Sequence, residues 1–296
     1  MSPTPEPTHV PVLPAETLQL LDPKPGETWV DCTLGAAGHS RMIADKIGPA
    51  GRLVGLDQDP RMLDIARRRL DGRPATLLHA NFDQLGEVLA NLGIDRVDGV
   101  LADLGFASDQ MDSPTRGMSF RAAAPLDMRL NTTAGETAAD LVNRMSEGAL
   151  ADIFYEYGEE RHSRRVAKRI VERRQAKRIE TTTELAEIVR SCVPRSGGID
   201  PATRVFQALR IAVNDELGAL ERLLAVLPRV LKPGGRAGII SFHSLEDRRV
   251  KQAFRTANVW TPMTKKPVEA SDAEVARNPR ARSAKLRVAV RNPHSP

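Results

Sequence analysis

The sequence predicts an α/β protein in which a doubly wound, mostly parallel sheet is interrupted by an all-helical insertion. Strand-like and helix-like segments alternate in the first third of the chain, only helical patterns fill the middle, and the alternation then returns. Such alternation implies parallel strands joined by right-handed crossovers. We therefore expect a discontinuous Rossmann-like domain of residues 1–111 and 213–296, with a helical insertion of residues 112–212.

The first third holds four apolar strand patterns separated by a small-residue turn or by amphipathic helices. The strands are expected at Thr28–Leu34, Arg52–Asp57, Thr76–Ala80 and Gly99–Leu104, with helices after Gly38 and at Pro60–Leu70 and Phe82–Leu92. This order is that of consecutive βαβ units, so the strands should form one sheet.

The middle of the chain shows helical periodicity and no clear strand. Helices are expected at Ala138–Val142, Ala149–Tyr157, Arg161–Gln175 and Thr182–Cys192, the last preceded by a Thr-x-x-Glu capping box. The α/β pattern resumes with a helix at Ala219–Leu231, a Pro-Gly-Gly stop, a strand at Ala237–Phe242, a charged loop at Thr261–Arg282 and a strand at Lys285–Val290.

Composition limits the partners and the compartment. The 43 Lys and Arg against 38 Asp and Glu give a net charge of +5, which suits a polyanionic partner without requiring one. Aromatic residues make up only 4%, so nucleic-acid binding should depend on Arg and Lys rather than on stacked rings. Cys32 and Cys192 lack metal-ligand spacing and are expected to be buried. The absence of a long apolar run or signal-peptide core predicts a cytoplasmic protein, and a homodimer is compatible with the sequence.

The turn between the first strand and its helix predicts a cofactor site. A dinucleotide needs a Gly-x-Gly-x-x-Gly turn beside its pyrophosphate, whereas this chain has Gly35-Ala-Ala-Gly38 followed by His39. S-adenosylmethionine has no pyrophosphate and tolerates the missing glycine. Asp57, at the end of the second strand, is expected to accept hydrogen bonds from ribose hydroxyls; the alternative is a helix N-cap.

A second carboxylate predicts the acceptor chemistry. Asp103 ends the fourth strand, and ligands of open parallel sheets bind at the carboxyl ends of strands. The amino nitrogen of a nucleobase is a poor nucleophile because its lone pair is delocalised into the ring. Acceptors that bind its hydrogens favour a pyramidal nitrogen, and the base must lie outside a stack.

Residue identity over nearly the whole chain resembles the MraW-type 16S ribosomal RNA cytosine-N4 methyltransferases. The matching runs include His9-Val-Pro-Val-Leu, Asp31 to Ser40, Asp103-Leu-Gly, Arg116-Gly-Met-Ser-Phe, Pro125-Leu-Asp-Met-Arg, Ala202 to Arg210, Ser241 to Arg248 and Asn278-Pro-Arg-Ala-Arg-Ser. Several runs of this length in the same order are highly specific.

This resemblance implies a class I S-adenosylmethionine-dependent methyltransferase that acts on a decoding-centre cytosine. It places the cofactor on Ala37, Gly38, His39, Asp57, Phe82, Asp103 and Gln110. The sequence departs from the family at two points. Where relatives have Gly-x-Gly-Gly-His, residue 37 is alanine, which we expect to be tolerated only at negative φ. The usual Ser-Ser-Pro-Gln is Ala107-Ser-Asp-Gln110, which lacks the proline that would stiffen this loop.

Further side chains are candidates for catalysis and for RNA binding. His243 follows a central strand and is expected either to orient the base and relay its proton or to cap the next helix. Arg161, Arg165, Lys168 and Arg169 can share one helix face, and they predict a phosphate clamp if they are not merely a solvated face. Asp127 and Arg129 are expected to form a buried pair that fixes the insertion against the core.

Three classes of function therefore compete. A nicotinamide-dependent dehydrogenase shares the βαβ start but fits the glycine pattern poorly. A non-catalytic RNA-binding protein explains the basic helix but not the cofactor loop, whereas an RNA amino-methyltransferase explains both. The sequence favours 16S ribosomal RNA or the small subunit as partner and leaves open another RNA, or a choice between naked and assembled RNA.

Overall fold

The computed structural model describes residues 10–105, 115–194, 198 and 200–293. The chain forms two compact units, residues 1–107 with 217–296 and residues 108–216. The junctions between the units fall at 107–108 and 216–217, whereas the sequence predicts them at 111–112 and 212–213. Among the described residues, no helix combines the length and apolar character needed to cross a bilayer.

The first unit is built on one eight-stranded sheet. Its strands are β1 (Thr28–Asp31), β2 (Arg52–Asp57), β3 (Ala75–His79), β4 (Val97–Asp103), β5 (Leu231–Ser241), β6 (Trp260–Pro262), β7 (Val268–Glu269) and β8 (Lys285–Arg291). They lie in the order β3-β2-β1-β4-β5-β8-β6, with β7 also paired to β8. Strands β1 to β5 are parallel, whereas β8 is antiparallel to β5, β6 and β7. The predicted sheet is therefore present.

The helices of the first unit follow its strands in the predicted alternation. They are α1 (Pro14–Leu21), α2 (Gly38–Ile47), α3 (Pro60–Arg69), α4 (Leu85–Asn91), α10 (Glu216–Val230), α11 (Ser244–Ala253) and α12 (Asp272–Arg277), with 3₁₀ turns at Phe82–Gln84 and Pro279–Ser283. Two buried apolar clusters are present, one containing Val30, Val54 and Val100 and the other Trp29, Leu53 and Leu101. Because neighbouring strand residues point to opposite faces, both faces of the sheet are covered.

Among its described residues, the second unit has helices and no strand apart from one isolated bridge between Pro125 and Thr181, and residues 115–137 form turns and irregular backbone. Its helices are α5 (Ala138–Arg144), α6 (Glu147–Glu156), α7 (Ser163–Ala176), α8 (Thr182–Cys192) and α9 (Ala202–Asn214). The predicted capping box is present, since Thr181 Oγ1 accepts from Glu184 N and the Glu184 carboxylate accepts from Thr181 N. Asp127 and Arg129 form an ion pair, at 2.8 and 2.9 Å, but it is half-buried rather than buried, and its role in fixing the insertion stays a prediction.

Several predicted elements need correction. The segment Thr261–Arg282 is not a loop, because it contains most of β6, all of β7, α12 and most of a 3₁₀ turn. The Pro-Gly-Gly does not precede the strand but lies within β5, where the pairing with β4 shifts register between Val97 and Gly99. Helices α1 and α9 were not predicted as helices. Cys32 and Cys192 are buried and unpaired, as expected.

Candidate active site

Three carboxylates lie at the carboxyl ends of three adjacent strands in the first unit. Asp31 ends β1, Asp57 ends β2 and Asp103 ends β4, and the sheet order places β1 between the other two. Burial is the largest influence on each group and raises its pKa, to about 6 for Asp57 and about 7 for Asp103. Proteins rarely hold several desolvated carboxylates together without a binding or chemical use for them.

Asp31 fixes the turn between β1 and α2. Its Oδ2 accepts from Ser40 Oγ at 2.6 Å and its Oδ1 accepts from Thr33 N at 3.1 Å. The turn closes where Ala37 N donates to Leu34 O at 2.8 Å. No side chain caps the N-terminus of α2. The first-turn N–H groups of this ten-residue helix therefore face the carboxyl edge of the sheet without a side-chain acceptor.

The expectation of a negative φ at Ala37 is wrong. Ala37 has φ +61° and ψ +30°, the left-handed conformation that a glycine adopts without a Cβ penalty. The residue is also 1% exposed and packs in the apolar core. The strain of alanine in this region is about 1–2 kcal/mol. The buried methyl group offsets part of it, at about 0.8 kcal/mol.

Asp57 lies against the turn. Its Oδ2 accepts from Gly35 N at 2.8 Å, with Gly35 at φ +49°, and its Oδ1 accepts from Asp59 N at 2.8 Å. The N-cap of α3 is Asp59, whose side chain accepts from Arg61 N, so the alternative interpretation of Asp57 as that cap is wrong. A carboxylate has about four lone-pair positions. The two backbone donors leave Asp57 able to accept two more hydrogen bonds, as the two hydroxyls of a ribose require.

Asp103 is linked to the turn through its backbone. Asp103 N donates to Thr33 Oγ1 at 2.6 Å, and its Oδ1 accepts from Gly105 N at 3.2 Å. A Cβ on Gly105 would lie 2.6 Å from the Phe242 ring, so only glycine permits this packing. Asp103 therefore retains more free acceptor positions than Asp31, in a place fixed by two neighbouring segments.

His39 joins the turn to the N-terminal segment. Its Nε2 lies 2.9 Å from Val12 O, and because a carbonyl only accepts, Nε2 carries the hydrogen. Burial lowers the pKa of His39, which favours the neutral ring. The unprotonated Nδ1 then faces Asp103 Oδ2 at 3.7 Å. Gly38 allows the N-terminal segment to lie this close to the turn, since a Cβ at residue 38 would lie 3.0 Å from Pro11 Cδ.

Of the two remaining predicted cofactor residues, the structure describes Phe82 but not Gln110. Phe82 begins the 3₁₀ turn just after β3 and packs, half-buried, against the core cluster. Asn81 caps that turn, so the position of Phe82 near the carboxyl edge is set by local hydrogen bonds. Gln110 lies outside the described residues, as does the whole segment 107–110, where the sequence departs from the family pattern.

His243 occupies the N-cap position of α11, but its ring does not cap the helix. Glu246 Oε2 accepts from Phe242 N at 2.8 Å and from His243 N at 3.3 Å. His243 Nε2 lies 3.1 Å from Glu246 Oε1, yet neither ring nitrogen makes a hydrogen bond to a described residue. The backbone thus fits the capping alternative, while the side chain is buried and unsatisfied.

In the second unit, the four predicted RNA-binding cations are exposed, but only three lie on a helix. The helix α7 begins at Ser163, so Arg161 precedes it instead of lying within it. Arg169 pairs with Glu172 at 3.3 Å, whereas no ion pair joins Arg165 or Lys168 to a described residue. Elsewhere in this stretch Arg174 donates to Val142 O and Met145 O, which is a structural role.

Sequence reasoning missed the residues that position the site. Asp31, Thr33 and Ser40 lie in the stretch that resembles the family, but the sequence alone assigns none of them a role. Asp31 and Ser40 stand nine residues apart, across a turn that ends in a helix, so their pairing depends on the chain reversal. The only available signal was that these three polar side chains and His39 lie in a stretch otherwise made of small or apolar residues.

The chain was then compared with known proteins. A family model, the MraW methylase family, matches residues 6–292. The chain belongs to this family. Curated relatives named ribosomal RNA small subunit methyltransferase H are 53% identical in Sorangium cellulosum, 51% in Geobacter sulfurreducens and 51% in Deinococcus radiodurans. The alignments cover 95–96% of this chain and 90%, 98% and 90% of those relatives, respectively.

Membership confirms the resemblance seen in the sequence. The predicted fold class, methyl-transfer activity and S-adenosylmethionine as methyl donor are confirmed. The dehydrogenase and the non-catalytic RNA-binding protein are thereby excluded. The individual roles of the site residues stay predictions.

Proposed function

We propose that this chain transfers a methyl group to the N4 amino group of a decoding-centre cytosine in small-subunit ribosomal RNA. The proposal rests on one observation, the state of the Asp103 carboxylate. It lies at the end of a central strand, is largely buried and accepts a hydrogen bond from one described backbone N–H group, that of Gly105. The relatives of this chain are named ribosomal RNA small subunit methyltransferase H, and that name supplies the ribosomal RNA. The acceptor atom follows from the chemistry that such a carboxylate performs on an exocyclic amine.

The residues of the edge fit S-adenosylmethionine. Asp57 has two free acceptor positions for the ribose hydroxyls, and Phe82 follows the neighbouring strand as an apolar wall for the adenine. The α2 N-terminus at Gly38 and His39 offers backbone N–H groups for the carboxylate of the methionyl part. Asp103 would lie close to the cationic sulfonium, and we assign Gln110 to the same site.

Asp103 activates the nucleophile. The bound donor supplies an electrophilic methyl group on sulfur. Asp103 accepts a hydrogen bond from the cytosine amino group, which draws the nitrogen lone pair out of conjugation with the ring. When bound, the donor would give up this methyl group to the amino nitrogen and would keep the electron pair of the broken carbon–sulfur bond on its sulfur. The nitrogen then loses one proton, and a carboxylate whose pKa is about 7 is a better acceptor for it than an ordinary aspartate.

His243 is a second candidate for contact with the base. Its ring is 10% exposed, and both nitrogens are unsatisfied among the described residues. Buried polar atoms are nearly always hydrogen-bonded, and Glu246 Oε1 at 3.1 Å can serve Nε2 alone, which leaves Nδ1 available to a group of the substrate. We assign His243 to orienting the cytosine.

The second unit is proposed to bind the RNA. Arg161, Arg165, Lys168 and Arg169 present cationic heads at its surface, as phosphate contacts require. Small-subunit RNA also implies the cytoplasm as the compartment. A homodimer stays a sequence-based expectation that light scattering tests: a mass of 32.4 kDa would indicate a monomer instead.

A labelled-methyl assay tests the proposed function. The purified chain is incubated with methyl-labelled S-adenosylmethionine and with small-subunit RNA from a strain that lacks the modification, either naked or assembled. After digestion to nucleosides, we expect the label in N4-methylcytidine. Label in 5-methylcytidine or a ribose-methylated nucleoside would reject the amino acceptor, and no label with either RNA would reject the substrate.

A further inference from the structure

A basic cavity lies in the first unit, away from the cofactor edge. Its volume is about 330 Å³, and its walls come from the end of α11, the segment after β6 and the strand β8. Lys251 and Arg255 belong to the first wall, Lys265 to the second and Arg287 to the third. No carboxylate is among the described residues that line it.

The charge of this cavity is unbalanced. Arg287 is buried and fully engaged, since its Nε and Nη2 donate to the two carboxylate oxygens of Asp247 at 2.7 and 3.1 Å. Lys251, Arg255 and Lys265 make no ion pair with any described residue. Three uncompensated cations therefore surround one opening, an arrangement whose mutual repulsion an anion would relieve.

The cavity is built on rigid parts of the fold. Phe254 is 3% exposed and packs its ring 5.2 Å from that of Trp260. The opposite wall is tied to β8, because Val288 N donates to Thr264 Oγ1 at 3.1 Å and Met263 N donates to Val288 O at 2.9 Å. The cations thus extend from fixed backbone positions, which lowers the entropy lost on binding.

Stabilisation of a helix end explains only part of this arrangement. Cations in the last turn of a helix interact favourably with its dipole, which accounts for Lys251 and, just beyond the end, Arg255. It does not account for Lys265, which comes from a separate segment and faces the same opening. Convergence of cations from two segments on one cavity requires another explanation.

We propose that this cavity binds the phosphate backbone of the substrate RNA at a point remote from the methylated base. The inference rests on the proposed function, which makes RNA the substrate. Helix α11 begins directly after the cofactor edge and its ten residues rise about 15 Å before the cavity.

A matched pair of double variants tests the proposal in the full-length chain. Lys251→Gln with Arg255→Gln removes two charges from the cavity. Lys46→Gln with Arg68→Gln removes the same two residue types from exposed positions on α2 and α3 that form no ion pair with a described residue. The probe is naked small-subunit RNA, measured by filter binding from 0.05 to 0.3 M salt, with affinity for S-adenosylmethionine as the control for folding.

We expect the cavity variant to weaken RNA binding about 5- to 25-fold at 0.1 M salt and to lower the salt slope by about 1.4, the value for two single-strand phosphate contacts. Adding Lys265→Gln should weaken binding further. Cofactor affinity should not change. If the cavity variant matches the control variant in both affinity and slope, the proposal is overturned while the proposed function stands. If the wild-type chain binds neither this RNA nor assembled small subunits in the same assay, both fall.

Lysine acetylation of the unaltered chain gives a second measurement that no folding defect can obscure. Bound RNA should protect Lys251 and Lys265 from acetylation and leave Lys46 reactive. Equal reactivity of Lys251 and Lys265 with and without RNA would overturn the proposal. Protection by assembled small subunits but not by naked RNA would assign the cavity to a ribosomal protein and would also overturn it.

Discussion

At the scale of single residues, the three strand-end carboxylates differ in how far the protein already satisfies them. Asp31 accepts from a hydroxyl and a backbone N–H and is 2% exposed, which makes it a positioning residue. Asp57 accepts two backbone N–H groups and has room for two hydroxyls. Asp103 accepts one backbone N–H group, and burial raises its pKa to about 7. The division of roles follows from this order.

Replacing Asp57 should weaken cofactor binding, because its carboxylate is the proposed acceptor for the ribose hydroxyls. Asp57→Ala removes the acceptor of two hydroxyl hydrogen bonds, so affinity for S-adenosylmethionine should fall on the order of 100-fold. In the wild-type chain, affinity should also fall as the pH drops through about 6, because protonation removes acceptor capacity. Calorimetric titration from pH 5 to 8 measures both. An affinity that does not change in the variant would contradict the assignment.

Replacing Asp103 should stabilise the fold while impairing catalysis. The pKa is about 7 in the folded state and near 3.8 when unfolded, so the folded state holds the extra proton between these values. Stability therefore decreases as the pH rises through that window. Asp103→Asn removes this cost, and its gain in melting temperature should widen from pH 4 to pH 7. A gain independent of pH would show that burial of the charge is not its cause.

Variants at Ala37 test whether its left-handed backbone is strained and whether its buried methyl group offsets that strain. Ala37→Gly loses a buried methyl group and gains unfolded-state entropy, but relieves the left-handed strain, so the net change should stay within about 1 kcal/mol. Ala37→Val places a β-branched residue at φ +61° and should lower the free energy of unfolding by about 2 kcal/mol or more. Urea unfolding decides this, and equal stability of Val and Ala would refute the strain account.

Among elements, the basic helix α7 shows what periodicity can and cannot predict. Its buried positions Val166, Ala167 and Ile170 define the inner face, and Arg165 and Lys168 are exposed as predicted. Periodicity could not show that Arg174 donates to two carbonyls, because those acceptors lie about 30 residues away in sequence.

Removing the unpaired cations of α7 should weaken RNA binding. Arg165→Gln with Lys168→Gln should lower the affinity and the salt slope, because phosphate contacts release counterions. The matched control is Arg178→Gln with Lys177→Gln, whose charges are already paired with Asp140 and Glu184 at 2.7 Å. Filter binding to small-subunit RNA compares them. An equal loss in both, or a loss of cofactor affinity, would indicate a structural role.

The elements that the sequence did not predict are short or depend on distant partners. Strands β6 and β7 have three and two residues, and each is defined only by pairing with β8, whose paired residues lie 16 to 31 positions later. The β5 register shift at Pro-Gly-Gly likewise depends on β4. By contrast, β2 and α8 carry their own apolar pattern and end signals, and their predicted bounds match the structure.

At the scale of the whole molecule, the order of apolar segments was enough to predict the sheet, since crossovers of parallel strands have one hand. The strand ends at Asp57 and Asp103 followed from the same pattern. The distant hydrogen bonds that hold these two residues and Asp31 were not predictable, because they link segments separated by a chain reversal or by 70 residues, as between Thr33 and Asp103. Three further cations surround a cavity that only the fold assembles.

The central claim is that Asp103 directs methylation to a cytosine amino group of small-subunit RNA. The most direct test maps N4-methylcytidine in ribosomal RNA from cells that lack the gene, complemented with the wild-type chain or with Asp103→Ala. We predict one decoding-centre N4-methylcytidine that the wild-type chain restores and the variant does not, with kcat for purified Asp103→Ala lowered about 10²- to 10³-fold. Full restoration of the modification by a variant with wild-type kcat would contradict the account.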